Sequence, residues 1–336
     1  MVTKMSDSLM YTQISSLPEQ IERALLANFN VPPKSKMVCV CGMGASALAG
    51  DVLSDYVDCS ADAPLYVVRG IELPGWVGKD STVIALSYSG NTKETLIVYE
   101  EARSRGCQVI CMTSGGSLAK ACRSNQDTLV ELPRGMQSRG AFGYLLGYLA
   151  NALEKMGVCN AATELGSLIP ELKRQRNELA DDNNTTVMDI ARPFLNKVPV
   201  VYSLADMRSS AIRWKTQINE NSKFISFCGS LPEFNHNEIV GWSVDSKNSM
   251  FTPVILYDDD ASAIIKHMTD TSIGILQDNG LNPMFYHVKG SSNIEKNLKC
   301  ILLGDFVSLQ LAYLRRTDPV IDTPVEDTND LVITDD

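Results

Sequence analysis

Short apolar runs alternate with helix-like segments along most of this chain, and that alternation constrains the fold more than any other feature. In the first half, the predicted strands are 36–41, 64–68, 82–86, 107–111 and 128–132, and the predicted helices are 46–56, 92–105, 117–123 and 140–156. Strands that alternate with helices favour a parallel sheet with helices on both faces. The sequence therefore predicts an α/β domain with a doubly wound parallel sheet.

The same alternation restarts in the second half. Strands are predicted at 198–202, 253–257 and 283–288, and helices at 207–221, 262–279 and 293–316. The intervening stretch is more polar and contains Asp181-Asp182-Asn183-Asn184, which is typical of a connector. We therefore predict one α/β domain over 1–156, a partly helical connector over 157–190, a second α/β domain over 191–317, and an acidic tail over 318–336 that lies over the surface or frays.

Charge and composition exclude several classes of protein. The formal net charge is −10 and Lys and Arg form no block, which argues against nucleic acid and anionic membranes as partners. No apolar run approaches the length of a membrane helix, and residues 1–20 lack a signal-peptide pattern. The nine cysteines form no CxxC pair and there are only three histidines. We therefore expect reduced thiols in a cytoplasmic protein and no metal centre.

Two polar loops follow predicted strands and open predicted helices. The first is Gly42-Met43-Gly44-Ala45-Ser46-Ala47, and the second runs from Ser87 to Thr92. First-turn N–H groups and the helix dipole favour an anion, and hydroxyls add neutral donors. Because both loops lie at carboxyl ends of strands, they are predicted to hold one phosphate of a small ligand. The candidate ligands are Gly44, Ser46, Ser87, Ser89 and Thr92, although Ser89 or Thr92 could serve only as a helix N-cap.

A dinucleotide site is the main alternative for the first loop, since residues 42–47 fit the pattern G-x-G-x-x-A. That pattern requires an acidic residue at the end of the second strand, where Arg69 stands instead. NADP would tolerate an arginine. The second polar loop, however, is not part of the dinucleotide pattern, so a small phosphorylated ligand is favoured over an NADP-dependent oxidoreductase.

Three charged or titratable side chains are candidates for catalysis. Glu220 ends a predicted helix, where the dipole disfavours an ionised carboxylate and so suits a general base. His236 lies in a loop between two asparagines and could transfer protons near neutral pH. Arg139 stands at the start of a predicted helix, where a cation suits an anionic ligand or intermediate. The alternatives are a solvated Glu, a hydrogen-bonded structural His and an Arg paired with an acidic side chain.

These motifs resemble those of the bifunctional phosphoglucose/phosphomannose isomerases, a branch of the sugar-isomerase (SIS) domain proteins. The resemblance runs over residues 35–315, and its later two blocks are far more specific than the serine/threonine loop. The motifs that carry it are Gly42-Met43-Gly44-x-Ser46, Ser87-Tyr88-Ser89-Gly90-Asn91-Thr92-x-Glu94-Thr95, Arg213-Trp214-Lys215-x-Gln217-x-Asn219-Glu220-Asn221-x-Lys223 and Pro232-Glu233-x-Asn235-His236-Asn237-Glu238.

The resemblance implies two SIS domains, no metal or cofactor, hexose 6-phosphate substrates and a homodimer with active sites at the subunit interface. It implies that the serine and threonine hydroxyls hold the sugar phosphate. Glu220 would move a proton between C1 and C2, and Arg139 would stabilise the enediolate. His236, donated by the neighbouring subunit, would open the sugar ring. Such an isomerisation needs these same kinds of group.

Two positions depart from the family pattern. Ser138 stands where the family usually has Pro, and no Lys follows Arg316, although the family tends to carry a ring-opening Lys near its C-terminus. That role is vacant or falls to another residue such as Lys299 or Arg316. Two other functions stay open: a non-catalytic sugar-phosphate sensor, and an isomerase of another phosphosugar such as an amino sugar.

Overall fold

The structure is a computed structural model that describes residues 4–33, 36–60, 64–181, 184–243 and 246–321. It opens with two short helices that the sequence analysis did not predict, α1 (Leu9–Ser15) and α2 (Leu17–Leu25). The Ser8 hydroxyl caps α1 by accepting from the Tyr11 N–H. Apolar side chains of α2, including Leu17 and Ile21, join the core of the first half of the molecule.

The first half contains a five-stranded, fully parallel sheet in the order β2-β1-β3-β4-β5. The strands are β1 (Met37–Cys41), β2 (Leu65–Val68), β3 (Ser81–Leu86), β4 (Gln108–Thr113) and β5 (Thr128–Glu131). The helices are α3 (Gly44–Ser60), α4 (Lys93–Ser104), α5 (Gly116–Ser124) and α6 (Phe142–Lys155). One apolar core packs α3 and α6 on one face of the sheet, and a second packs α4 and α5 on the other. The doubly wound arrangement predicted here is confirmed.

The polar stretch after α6 is helical almost throughout. It contains α7 (Ala161–Ala180) and α8 (Thr186–Ala191); residues 182 and 183 of the predicted connector lie outside the described part of the chain. Leu165, Leu168 and Leu172 of α7 belong to the same core as α2 and α6. This stretch therefore packs against the first sheet's helices, because every third or fourth residue of α7 is apolar.

The second half contains a four-stranded parallel sheet in the order β7-β6-β8-β9. Its strands are β6 (Val198–Leu204), β7 (Phe227–Leu231), β8 (Phe251–Asp258) and β9 (Met284–Val288). Its helices are α9 (Arg208–Ser222), α10 (Glu238–Trp242), α11 (Ala263–Asp278) and α12 (Asn293–Leu314). Strand β7 was not predicted, because an edge strand with Gly229 and Ser230 at its centre lacks the apolar run of a buried strand.

Helix α12 is the central helix of the second half and packs along α9. By length and composition it could cross a membrane, yet 83% of its apolar window is buried inside the protein, as expected for a core helix. The prediction that no apolar run approaches that length was therefore wrong for α12. Trp214 of α9 is fully buried against it and donates from Nε1 to the Cys300 carbonyl oxygen at 2.7 Å.

The contact between α9 and α12 depends on a glycine. A Cβ on Gly304 would lie 2.4 Å from Cδ1 of Trp214, whereas a Cβ on Gly274, inside α11, would meet no heavy atom within 4 Å. Gly304→Ala is therefore expected to lower the free energy of unfolding by about 1–3 kcal/mol through overpacking. The control Gly274→Ala should leave it unchanged or raise it by up to about 1 kcal/mol. Urea titration measures both; equal stability of Gly304→Ala and wild type would contradict this packing.

Candidate active site

Two loops meet at the carboxyl edge of the first sheet. Because β1 and β3 are parallel neighbours, the chain segments that follow them leave the sheet side by side. Gly42 allows close approach, since a Cβ there would lie 2.7 Å from the Leu86 carbonyl oxygen. Gly44 begins α3 with φ +51°, and Ser46 is buried in its first turn. The predicted phosphate ligands of the two loops therefore lie at one edge of the sheet.

The hydroxyls of the second loop are organised among themselves. Ser87 Oγ lies 2.9 Å from Thr92 Oγ1 and accepts from the Gly90 N–H at 3.1 Å. Thr92 is the N-cap residue of α4, but its hydroxyl makes no capping hydrogen bond. Ser89 is exposed and accepts from the Asn91 N–H. The loop thus places three hydroxyls just before the first turn of α4. The start of a helix favours an anion, and hydroxyl groups can donate to one.

The first turn of α5 holds in place the loop 87–92, called the phosphate loop after its predicted ligand. The Asn91 Oδ1 atom accepts from the Ser117 N–H at 2.9 Å, and the Gly90 carbonyl accepts from the Leu118 N–H at 2.8 Å. Ser89 also lines an open cleft of about 390 Å³, whose charged lining residues are Lys120, Arg123 and Arg134. Three cations beside the loop favour an anionic ligand. The sequence analysis missed this support, although Gly115-Gly116 after β4 was a signal for it.

Tyr88 links the phosphate loop to the segment that carries Arg139. Its side chain is buried, its hydroxyl donates to the Pro133 carbonyl at 2.8 Å, and the Met136 N–H donates to it at 3.2 Å. Burial raises the pKa of the Tyr88 phenol, so the hydroxyl keeps the proton that it donates. The turn that precedes α6 is therefore tied directly to the loop between β3 and α4.

Arg139 is buried and surrounded by acceptors from distant parts of the chain. Its Nε donates to Asn221 Oδ1 at 2.9 Å, and its Nη2 donates to the Pro319 carbonyl at 2.6 Å. Its Nη1 faces Glu220 Oε2 at 3.5 Å. Arg139 is only 4% exposed whereas Glu220 is 39% exposed. The acidic side chain beside this arginine is thus the predicted catalytic glutamate itself, and it is open to solvent or a ligand.

The start of the predicted acidic tail takes part in this arrangement. Besides the bond from Arg139 to Pro319, Gln137 Nε2 donates to the Val320 carbonyl at 3.5 Å. Pro319 is therefore buried against the arginine, whereas Asp318 and Ile321 on either side of this short segment are exposed. That the rest of the tail lies over the surface or frays stays a prediction. Residues 322–336 of the tail lie outside the part of the chain that the structure describes.

The antiparallel pairing of α3 and α9 brings Glu220 toward the phosphate loops. The Ser209 N–H donates to Asp55 Oδ2 at 3.1 Å, and one turn away Asn293 Nδ2 reaches both Cys59 Sγ and the Asp206 carbonyl. Gly44 precedes Asp55 by 11 residues, and Glu220 follows Ser209 by 11 residues. Because both helices rise about 1.5 Å per residue, an antiparallel packing that continues along α3 and α9 would put Glu220 level with the start of α3.

His236 is on a different element from Glu220 and Arg139. It ends a single 3₁₀ turn, Glu233–His236, after β7, and its side chain is exposed. The contacts described above for Arg139 and Glu220 come from α9 and the segment after α12, and they do not include His236. The structure therefore brings Glu220 and Arg139 together and ties the segment before Arg139 to the phosphate loop.

The two residues considered as substitutes for the missing lysine differ in their surroundings. Lys299 Nζ pairs with Glu295 at 2.6 Å and with Glu171 at 3.3 Å, so it belongs to an ion-pair group between α7 and α12. Arg316 follows α12 with a left-handed φ of +58°. In the described part of the chain, no three His, Cys, Asp or Glu side chains are grouped so as to hold a metal.

Comparison with protein families agrees with this architecture. A model of the SIS domain matches residues 33–143, and a model described as the bacterial phospho-glucose isomerase C-terminal SIS domain matches residues 183–330. Among solved structures, the C-terminal domain of glucosamine-fructose-6-phosphate aminotransferase from Francisella tularensis superposes with a TM-score of 0.72 at 17% identity. That match covers 93% of this chain and 97% of the other, and it shows a shared fold.

Two curated relatives are similar in sequence. A bifunctional phosphoglucose/phosphomannose isomerase of Aquifex aeolicus is 34% identical over 313 residues, which cover 92% of this chain and 94% of the relative. A D-glucosamine-6-phosphate 4-epimerase of Sulfolobus acidocaldarius is 33% identical over 223 residues, covering 65% of this chain and 67% of the relative.

Alanine substitution at two glycines with the same left-handed φ separates an effect on phosphate binding from an effect on stability. Gly90 and Gly106 both have φ +71°, but a Cβ on Gly90 would lie 2.0 Å from the Gly115 carbonyl oxygen, whereas one on Gly106 would meet nothing within 4 Å. Gly90→Ala is expected to displace the phosphate loop and weaken the binding of a hexose phosphate at least about tenfold. Gly106→Ala should cost about 1–2 kcal/mol of stability and leave binding unchanged. Calorimetric titration decides this, and equal affinities for the two variants would contradict the loop's role.

Proposed function

Since this chain belongs to the bifunctional phosphoglucose/phosphomannose isomerase family, we propose that it interconverts glucose 6-phosphate, mannose 6-phosphate and fructose 6-phosphate through a cis-enediolate, without a metal. Sugar-phosphate isomerisation, an intramolecular oxidation and reduction, is the activity class of its relatives. One observation carries the proposal: a buried arginine and an accessible glutamate are 3.5 Å apart. The segment before that arginine is hydrogen-bonded to Tyr88 of the loop suited to a phosphate.

The arrangement supports a proton-transfer mechanism. With the phosphate on the two loops, the far end of the sugar extends toward Glu220. The Glu220 carboxylate takes the proton from C2 of the aldose, and the C1 carbonyl oxygen gains negative charge. The Glu220 carboxyl, whose proton exchanges with solvent because the side chain is accessible, then gives a proton to C1, while the proton of the C2 hydroxyl passes to O1 and leaves the C2 carbonyl of the ketose. A cation fixed before the reaction starts stabilises that charge without reorganisation, and Arg139 is such a cation.

Ring opening is assigned to His236 of a neighbouring copy of the chain. Its exposed position on a short turn lets it enter another subunit's site, and an imidazole can transfer a proton near neutral pH. This part of the proposal requires a homodimer in which each site uses Glu220 and Arg139 from one chain and His236 from the other.

Another phosphosugar is the second candidate substrate. The relative from Sulfolobus acidocaldarius is named for an epimerisation of glucosamine 6-phosphate. Abstraction of a sugar proton by a glutamate would serve that class of substrate too. This alternative predicts that the enzyme converts an amino-sugar phosphate and leaves hexose phosphates without an amino group unchanged.

A coupled assay in the presence of EDTA tests the proposal. Purified protein receives fructose 6-phosphate, and glucose 6-phosphate and mannose 6-phosphate are measured separately. We expect both products. Formation of one product alone would contradict bifunctionality, and formation of neither would contradict the proposed substrates.

Replacement of the glutamate tests the base. Glu220→Gln keeps the size and polarity of the side chain but cannot accept the proton, so kcat should fall by at least about 10²-fold while substrate still binds. Isothermal titration with fructose 6-phosphate verifies binding, and Glu72→Gln, at an exposed position outside the motifs of the site, is the matched control. Turnover by Glu220→Gln at the wild-type rate would exclude this residue as the base.

Complementation tests the donation of His236. Glu220→Gln and His236→Ala are each expected to be nearly inactive. When equal amounts are unfolded together and refolded, half of the dimers are mixed and each mixed dimer holds one intact site, so about a quarter of wild-type activity should return. No recovery, despite mixed dimers in native mass spectrometry, would show that both residues act from one chain.

A further inference from the structure

A second arginine is buried directly behind Arg139. Arg213 is 1% exposed, and its Nε and Nη2 each donate to one carboxylate oxygen of Asp305 at 2.8 Å. Asp305 itself is fully buried within α12. The removal of two charges from water costs about as much as their attraction returns, so a pair like this adds little to stability. The position of this ion pair is better explained by the other contacts that Arg213 makes.

Arg213 holds the turn that carries Arg139. Its Nη2 also donates to the Arg139 carbonyl oxygen at 2.9 Å, and its guanidinium lies 4.4 Å above the Phe142 ring at the start of α6. The bidentate bond to Asp305 fixes the plane of this guanidinium. Arg213 thereby holds the short turn 139–142 at both ends, at the Arg139 carbonyl and at the Phe142 ring.

The side chain of Arg139 is tied to the same turn of α12. The Ser308 hydroxyl donates to the Asp305 carbonyl at 2.7 Å and accepts from Asn221 Nδ2 at 2.9 Å. The other end of that amide, Oδ1, accepts from Arg139 Nε at 2.9 Å. Two routes therefore lead from residue 305 to Arg139: one from the Asp305 carboxylate to the Arg139 carbonyl, and one from the Asp305 main-chain carbonyl, which Asp305→Asn leaves in place, to the Arg139 guanidinium.

We propose that Asp305 is a positioning residue for the reaction: its carboxylate fixes Arg213, and Arg213 holds the main chain from which Arg139 Nη1 points at the space beside Glu220, while Ser308 and Asn221 hold the Arg139 guanidinium. It touches neither substrate nor the reacting atoms. This inference rests on the proposed function, because it assigns Asp305 an effect on the step that Arg139 assists. A displacement of that cation by about 1 Å would slow the step by as much as about 10²-fold.

The matched control is another buried ion pair that involves α12. Asp258 Oδ2 accepts from Lys296 Nζ at 2.9 Å, and their side chains are 4% and 13% exposed. Asp305→Asn and Asp258→Asn make the same chemical change and both leave a buried cation poorly paired, so both should lower the melting temperature. Only Asp305→Asn should lower kcat, by about 10- to 100-fold, with KM for fructose 6-phosphate within about twofold of wild type.

A double-mutant cycle separates positioning from general damage. In the Arg139→Met background, Asp305→Asn should lower kcat no further, because the group that it positions is gone. If Asp305→Asn does not fold, Ser308→Ala removes only the side-chain route and should lower kcat about 3- to 10-fold. Unchanged kcat in both variants, or an equal loss with and without Arg139, would overturn the inference. An inactive wild-type enzyme would instead overturn the proposed function, and this inference with it.

Discussion

The burial of the Arg139 guanidinium is the constraint on which the site depends. A cation that is 4% exposed must have its N–H groups met by acceptors from the protein. Those acceptors come from α9 and from the segment after α12, while the arginine itself precedes α6. The two sheets and the start of the C-terminal tail must therefore come together before this side chain is satisfied. The site is formed by the whole tertiary structure and by no single loop.

This constraint also explains how the site can act on a sugar phosphate. Phosphate binding requires only hydroxyls, backbone N–H groups and nearby cations, and the first sheet supplies all of these at one edge. Proton transfer requires a carboxylate and a cation at a fixed separation, and the second half supplies the carboxylate through α9. The antiparallel contact of α3 with α9 sets the distance between these two parts. Binding and chemistry thus depend on different halves of the chain.

Local pattern was enough to predict most of the fold and the loops of the site. The alternation of strands and helices indicated parallel sheets, and parallel sheets place loops such as 87–92 at one edge. The helices α1 and α2 were missed because they are only 7 and 9 residues long, and the edge strand β7 was missed because it lacks an apolar run. Contacts between residues far apart in the chain could not be predicted. Arg139 binds Asn221 across 82 residues, and Arg213 binds Asp305 across 92. Nothing in the local sequence around either arginine specifies its partner.

The central claim is that Glu220 moves a proton between two carbons of a sugar phosphate that is held at the edge of the first sheet. Deuterium incorporation tests it most directly. Wild-type enzyme and Glu220→Gln would be incubated with fructose 6-phosphate in D₂O, and the recovered hexose phosphates analysed by NMR. The account predicts deuterium at C1 of the ketose and C2 of the aldose with wild type, and almost none with Glu220→Gln. Turnover without any deuterium incorporation, or equal incorporation by both proteins, would contradict it.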